Sequence, residues 1–319
     1  MSMQTQAAYT GNLSSWMAGL DSTLTMVQLS VPGTHDSGTH KVAPGPYHTQ
    51  NFGISTQLGD GIRFLDIRLA SSSSKDDPLQ VNHGKVSCDL SFGHVLNQCS
   101  AFLSANSGEV IFMLVNDAYG NPTSLTVYDG FQTYLANGAY QNLFCLSSAC
   151  AQLPLSQLRG KIVLLRRFFA PEGAELGLNL QQQGDTFDNT GWPDNYSASF
   201  STATPPPSPQ TSLFIEDQYN THDTGAKMKA VTAALDAAKA NPGDAILRLC
   251  FNSIAWHTPH TPYDYAWSLS GAMNPALQGY LAQNPGKARF GFVMLDFYNN
   301  STGHLDNSNV ATLVNSNFS

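Results

Sequence analysis

Val31-Pro32-Gly33-Thr34-His35-Asp36-Ser37 closes an alternating apolar run, residues 26–31, that reads as a strand. A histidine–aspartate pair where a strand runs into a turn is how a β/α barrel presents chemistry, because its sites are built at the C-terminal ends of the strands. The pattern returns downstream. Phe64-Leu65-Asp66-Ile67-Arg68 reads as a strand carrying a charged pair, and Gln80-Val81-Asn82-His83-Gly84 ends another short strand with a second histidine. Two histidines and an arginine delivered by three strand ends point to acid–base chemistry on a phosphate ester.

Working outward, eight runs read as strands: residues 26–31, 64–69, 79–82, 110–115, 161–166, 213–217, 245–251 and 290–297. Several are continuously apolar, such as Val110-Ile111-Phe112-Met113-Leu114-Val115, as expected of parallel strands covered on both faces. Helical patterns fall between most of them, at residues 91–103, 125–136, 224–240 and 275–284, the last with proline in its first turn. The expected fold is α/β, a single distorted (β/α)8 TIM barrel spanning residues 1–319, with parallel strands and some helices missing. Residues 70–78 are too short and polar for a covering helix. Residues 173–210, with Gln181-Gln182-Gln183 and Pro205-Pro206-Pro207, read as an irregular surface excursion.

Composition narrows the partners. Charged residues are 12% of the 319, about half the usual share. Ser, Thr, Asn and Gln supply the surface polarity instead, a flavour common in secreted proteins. An extracellular location is therefore expected, although residues 1–12 lack the basic start and apolar run of a signal peptide, and a cytoplasmic one stays open. The formal net charge of −8 argues against nucleic acid as a partner. No apolar run approaches the roughly 18 residues of a membrane span. Of the five cysteines, Cys145 and Cys150 are near enough to bridge, as are Cys88 and Cys99, and Cys250 sits in an apolar run as a buried thiol. None forms a CxxC metal pair.

A neutral histidine can take a proton from an attacking hydroxyl, and a protonated one can give a proton to a leaving oxygen. Each needs a carboxylate to hold its tautomer. Asp36 is adjacent to His35, and in extended chain adjacent side chains diverge. Asp36 is therefore expected to serve His83. In a closed barrel the last strand neighbours the first, which places Asp296 beside His35. Arg68 can grip phosphate oxygens through two parallel hydrogen bonds. A divalent ion on His83, Asp66 and Asp36 is the competing arrangement, but Arg68 on the same strand face as Asp66 would repel it. No metal and no cofactor are expected.

These residues resemble those of the bacterial phosphatidylinositol-specific phospholipases C. The resemblance is carried by residues 31–39, by Gly61-Ile62-Arg63-Phe64-Leu65-Asp66-Ile67-Arg68 and by Asn82-His83-Gly84. It continues in Phe92-Gly93-His94-Val95-Leu96-Asn97, residues 159–167, Trp192-Pro193-Asp194-Asn195, Ile215-Glu216-Asp217-Gln218-Tyr219 and residues 291–297. It implies a metal-free barrel in which His35 is general base with Asp296, His83 is general acid with Asp36, and Arg68 stabilises the phosphate. Arg167, Asp217 and Tyr219 fall where such a family grips inositol hydroxyls. The implied reaction turns phosphatidylinositol into diacylglycerol and inositol 1,2-cyclic phosphate, then slowly into inositol 1-phosphate. The implied enzyme is a monomer working at a lipid surface. Two other readings compete: a metal-dependent glycerophosphodiester phosphodiesterase or phospholipase D-like barrel, and an inactive module that binds inositol lipid.

The chain departs from the family pattern twice. Where the family often carries a lysine facing the inositol, this chain has Asn116. The stretch Val42-Ala43-Pro44-Gly45-Pro46-Tyr47 is shorter than the family's membrane-seated helix and poor in large apolar residues. The later loop, with Trp256, Tyr263, Tyr265 and Trp267, is the expected replacement, since aromatic rings suit the lipid interface.

Overall fold

The computed structural model describes residues 11–119, 124–180, 192, 195, 197–202, 211–255, 259–300 and 308–318. Its long parallel strands are β1 (Ser30–Thr34), β2 (Phe64–Ser71), β5 (Ile111–Asp117), β7 (Ile162–Arg167), β10 (Thr211–Glu216), β11 (Ile246–Asn252) and β12 (Gly291–Leu295). Between them run β3 (Leu79–His83), β4 (Val86–Ser91), the two-residue β6 (Phe144–Cys145) and β8 (Leu178–Asn179), and β9 (Ser197–Thr202). The order β6-β7-β5-β2-β1-β12-β11-β10-β9 makes one curled, half-barrel sheet. The helices are α1 (Ile54–Gly59), α2 (Phe92–Ala105), α3 (Thr126–Ala136), α4 (Leu155–Leu158), α5 (Thr224–Ala240), α6 (Met273–Gln283) and α7 (Ser308–Asn315).

Three expectations change. Residues 26–28 form a 3-10 turn, not a strand, because the Gln28 side chain folds back to accept the Thr25 N–H at 2.9 Å. Residues 79–83 are not a barrel-wall strand. The polar link before them is too short for a helical crossover, so β3 must return antiparallel along β2, with Leu69 opposite Val81. The proposed bridges are not present: all five cysteines are free. Burial pushes the Cys88 thiol up to about 12.

The strands have two buried faces, and the two-residue period divides their side chains between two cores. Phe64, Phe112, Leu114, Val163, Leu165, Leu213, Ile215, Phe292 and Met294 fill the inner cluster. Leu65, Ile67, Met113, Leu164, Val293 and Leu295 pack outward with Leu96, Phe131, Leu235 and Leu277 of the helices. On six of the seven long strands the inner parity continues past the apolar residues to a polar one near the C-terminal end, His35, Arg68, Asn116, Arg167, Asp217 and Asp296, whereas β11 ends its inner face in Phe251. Gly33 takes the inner place on β1 because a Cβ there would meet Phe64 Cβ at 2.8 Å.

At the opposite end, Arg63 and Glu109 are both fully buried and pair at 2.8 Å. Arg63 also donates to the carbonyls of Leu58 and Ile62 and, at 2.8 Å, of Ser14. Glu109 accepts from the N–H groups of Met17 and Ala18. The pair thus ties the N-terminal segment to the base of the sheet. Glu109→Gln leaves a buried guanidinium without its counter-charge, so urea unfolding should show a loss of about 3–5 kcal/mol. A loss below about 1 kcal/mol, the range of an exposed pair, would show that the pair holds little.

Candidate active site

The ends of β1, β2 and β12 and the β3 hairpin deliver six charged or titratable side chains to one place. His35 Nδ1 lies 2.8 Å from Asp296 Oδ1. His35 Nε2 lies 3.2 Å from Asp36 Oδ2 and 2.9 Å from Arg68 Nη2. Asp36 Oδ2 also lies 3.4 Å from His83 Nε2. Arg68 Nε approaches Asp36 Oδ1 at 2.9 Å, and its Nη2 donates to Asp66 Oδ2 at 3.1 Å. His83 completes its own orientation by donating from Nδ1 to the Tyr47 carbonyl at 3.1 Å. Both histidine Nε2 atoms therefore face a single carboxylate, and the guanidinium bound to that carboxylate also touches His35.

The topological expectation for Asp296 and the pairing of Asp36 with His83 both match this geometry. Asp36 does more than expected, because it also reaches His35. The chain is not extended there: Asp36 has φ +44°, a left-handed conformation that turns its side chain back across the preceding ring. Asp66 is the neighbour that the residue pattern cast only as a possible metal ligand. Its place two residues before Arg68 puts both on one face of β2. One ligand atom each from His35, Asp36 and Asp66 lies within 4.8 Å of the others. The Arg68 guanidinium touches all three groups, so its fixed positive charge stands where a divalent ion would have to bind.

The surroundings set the protonation of each group. Burial alone would lower His35, but Asp296 and Asp36 outweigh it and push the ring up to about 9. Nε2 has a partner in either state. The imidazolium can donate to Asp36, and the neutral ring, holding its proton on Nδ1 toward Asp296, can accept from Arg68. His83 lies below its ordinary value, chiefly through burial, with Arg68 and His35 adding to the shift and Asp36 opposing it. Burial would raise Asp36, but Arg68, His83 and His35 hold it below the carboxylate range. Burial raises Asp296 despite its bond to His35.

Beyond this centre, register aligns Arg68 with Asn116 and Asn116 with Arg167 on adjacent strands. Arg167 stacks 4.2 Å from the Trp192 ring, whose Nε1 donates to Asp217 at 2.7 Å. Burial raises Asp217, which lies within electrostatic reach of Arg167 and His35. Half-buried Tyr219 follows two residues later, its carbonyl accepting from Ala255 N–H. Trp192 was visible in sequence only as part of a familiar block. Its link between Arg167 and Asp217 needs the fold.

The expected membrane loop is placed differently. Tyr265 is buried, at 1% exposure, which removes it as a lipid contact. Trp267 and Tyr263 are half-buried and turn inward: Trp267 Nε1 donates to the Phe297 carbonyl at 2.8 Å, and the Tyr263 ring packs on Phe297. These rings brace the barrel rim because Phe297 offers them an apolar seat. Trp256 lies outside the described residues. Among the described residues, Tyr47 is 41% exposed beside His83, in the short stretch that is otherwise poor in large apolar residues.

Residues 45–168 match the family model "Phosphatidylinositol-specific phospholipase C, X domain". The chain is 29% identical over 291 residues to a 1-phosphatidylinositol phosphodiesterase of Staphylococcus aureus, covering 88% of this chain and 87% of that protein. A Listeria monocytogenes protein of the same name is 28% identical over 295 residues, covering 88% and 80%. Among solved structures, a Staphylococcus aureus phosphatidylinositol-specific phospholipase C from work on its membrane binding superposes with TM-score 0.78 at 28% identity, over 98% of this chain and 99% of that one. The Listeria enzyme, at 22% identity and TM-score 0.69, shares the fold. Over nearly its whole length this chain is thus similar to the bacterial phosphatidylinositol-specific phospholipases C, in sequence and in the half-barrel that carries the site.

Proposed function

We propose that this protein is a metal-independent phosphatidylinositol-specific phospholipase C acting at a lipid surface. The observation that carries the reading is the meeting of both histidine Nε2 atoms at Asp36, with Arg68 held against Asp36 and His35. A phosphodiester seated there has a base on one side, an acid on the other and a fixed cation on its oxygens. In the form of the pair that carries its one proton on His83, His35 Nε2 takes the proton of the inositol 2-hydroxyl, and that oxygen attacks the neighbouring phosphorus. His83 protonates the departing diacylglycerol oxygen. The nucleophile belongs to the substrate, so little orientational entropy remains to be lost. In the second step His83 deprotonates water and His35 protonates the inositol O2, opening the cyclic phosphate to inositol 1-phosphate. Arg68 leaves its contacts with Asp36 and Asp66 for the phosphate, supplying preorganised charge to the pentavalent state. Arg167, Asp217, Tyr219 and Asn116 are assigned to the inositol hydroxyls. We read the chain as one catalytic unit, working as a secreted monomer, which is in keeping with its charge-poor composition.

Two measurements test this. Phosphorus NMR of phosphatidylinositol vesicles with the protein in excess EDTA should show a cyclic phosphodiester resonance that later decays to a monoester. Turnover only after calcium or magnesium is added would move the chain to the metal-dependent barrels.

The second is the pH dependence of kcat/KM for the cyclic phosphate. The productive form has one proton on the pair, so the rate falls when both rings are protonated and when both are neutral. The acidic limb should lie below the ordinary histidine value, and the alkaline limb near 9. Asp296→Asn removes a charge that raises His35. It should move the alkaline limb toward neutrality and lower kcat by about 10²–10⁴-fold. A limb that stays near 9 in the variant would count against the His35–Asp296 dyad.

A further inference from the structure

We propose that Gln50 is a positioning residue: its side-chain amide clamps the end of β1 to the end of β12 and so sets the geometry of His35 against Asp296. The inference rests on the proposed role of that dyad. Gln50 is fully buried, and its Nε2 donates at 2.8 Å to the carbonyl of His35 and at 2.8 Å to the carbonyl of Leu295. Both amide hydrogens are thus used on the two residues that fix the dyad, His35 itself and the residue before Asp296. The Leu295 carbonyl also accepts from the His35 N–H at 3.1 Å, so one oxygen joins the two strand ends and the clamp.

The neighbouring residue reinforces it. Thr49 Oγ1 lies 3.2 Å from the His35 carbonyl and 3.1 Å from that of Asp36. The Thr49 carbonyl accepts from Phe297 N–H at 2.7 Å. Each strand leaves the dyad through a non-glycine residue with left-handed φ, Asp36 at +44° and Phe297 at +43°. Such conformations persist only where the surroundings over-determine them; Thr49 bonds at both sites, and Gln50 bonds the strand ends that lead into them.

Packing does not explain a glutamine here. Its Oε1 has no hydrogen-bond partner among the described residues, a cost that an apolar side chain of the same size would avoid. The reverse orientation would set Oε1 against two carbonyl oxygens, so the donors must face the strand ends. A buried polar group with an unmet acceptor calls for a reason beyond stability.

The test uses the full chain, with Gln50→Met, which keeps the volume and removes both donors. Displacement by a fraction of an ångström at a reacting centre is enough to lower kcat by about 10–100-fold, with KM for the cyclic phosphate within about twofold. NMR of histidine-¹⁵N-labelled protein should show the His35 titration moving down from about 9, with His83 unmoved. The charged groups facing His35 (Asp296, Asp36, Arg68, His83 and Asp217) are all retained, so a shift reports changed distances. Gln50→Glu, with at most one donor, should fall between Gln50→Met and the native protein at acid pH. Native kcat and native His35 titration in a folded Gln50→Met overturn the proposal. So does a failure of both variants to fold, since the amide would then hold the fold and not the dyad. The NMR arm needs no substrate and decides the clamp by itself, whereas a native protein that forms no cyclic phosphate overturns the proposed function.

Discussion

Arg68 is the interaction on which the site depends. Asp36, Asp66 and Asp296 are each at most 3% exposed, and Asp36 contacts both histidines. Carboxylates packed so closely in a poorly solvated place repel one another and draw protons. The guanidinium pairs with two of them and touches His35. These carboxylates in turn raise the pKa of Arg68 and keep it charged. The same fork that stabilises the acidic cluster is shaped to accept phosphate oxygens. A compact hydrated ammonium could not replace it, because the contacts to Asp36, Asp66 and His35 need two separate edges of one planar group.

The sheet makes this arrangement possible by being rigid where the chemistry is. Its strands are filled on both sides, and buried pairs close it elsewhere. Arg63–Glu109 anchors the base, and Lys227 on α5 reaches Glu216 at 2.8 Å on the outer face of β10. The mouth can then hold left-handed residues at Asp36 and Phe297, whose cost is carried by the surrounding structure. His83 is mounted differently. It comes from an antiparallel hairpin rather than the wall, and the carbonyl of half-exposed Tyr47 orients it. His83 is thus tied to a half-exposed loop, whereas His35 is tied to the centre of the sheet.

Much of the site was legible in the chain. Residues 26–31 were placed too early as a strand, yet the strand that follows carries His35 out of its C-terminal end. The inward parity of Phe64, Asp66 and Arg68, or of Phe292, Met294 and Asp296, can be counted without coordinates. Closure of the last strand on the first was enough to pair His35 with Asp296. The aromatic loop failed as a reading because composition does not say which way a ring faces. Tyr265 and Trp267 are as aromatic as any interfacial residue, but Phe297 and its carbonyl gave them an inward partner.

The sequence by itself determined the alternation that lines the half-barrel with apolar side chains and ends all but one of its long strands in a polar one, because the two-residue period is a property of the local backbone. Only the tertiary structure decided the rest. His35 and Asp296 are 261 positions apart and Gln50 and Leu295 are 245 apart, so no local pattern records that they meet. The turn of Asp36 back onto His35, the Trp192 bridge between Arg167 and Asp217, and the clamp from Gln50 arise when neighbouring strand ends are brought within hydrogen-bond range, and that proximity is set by the packing of the whole sheet.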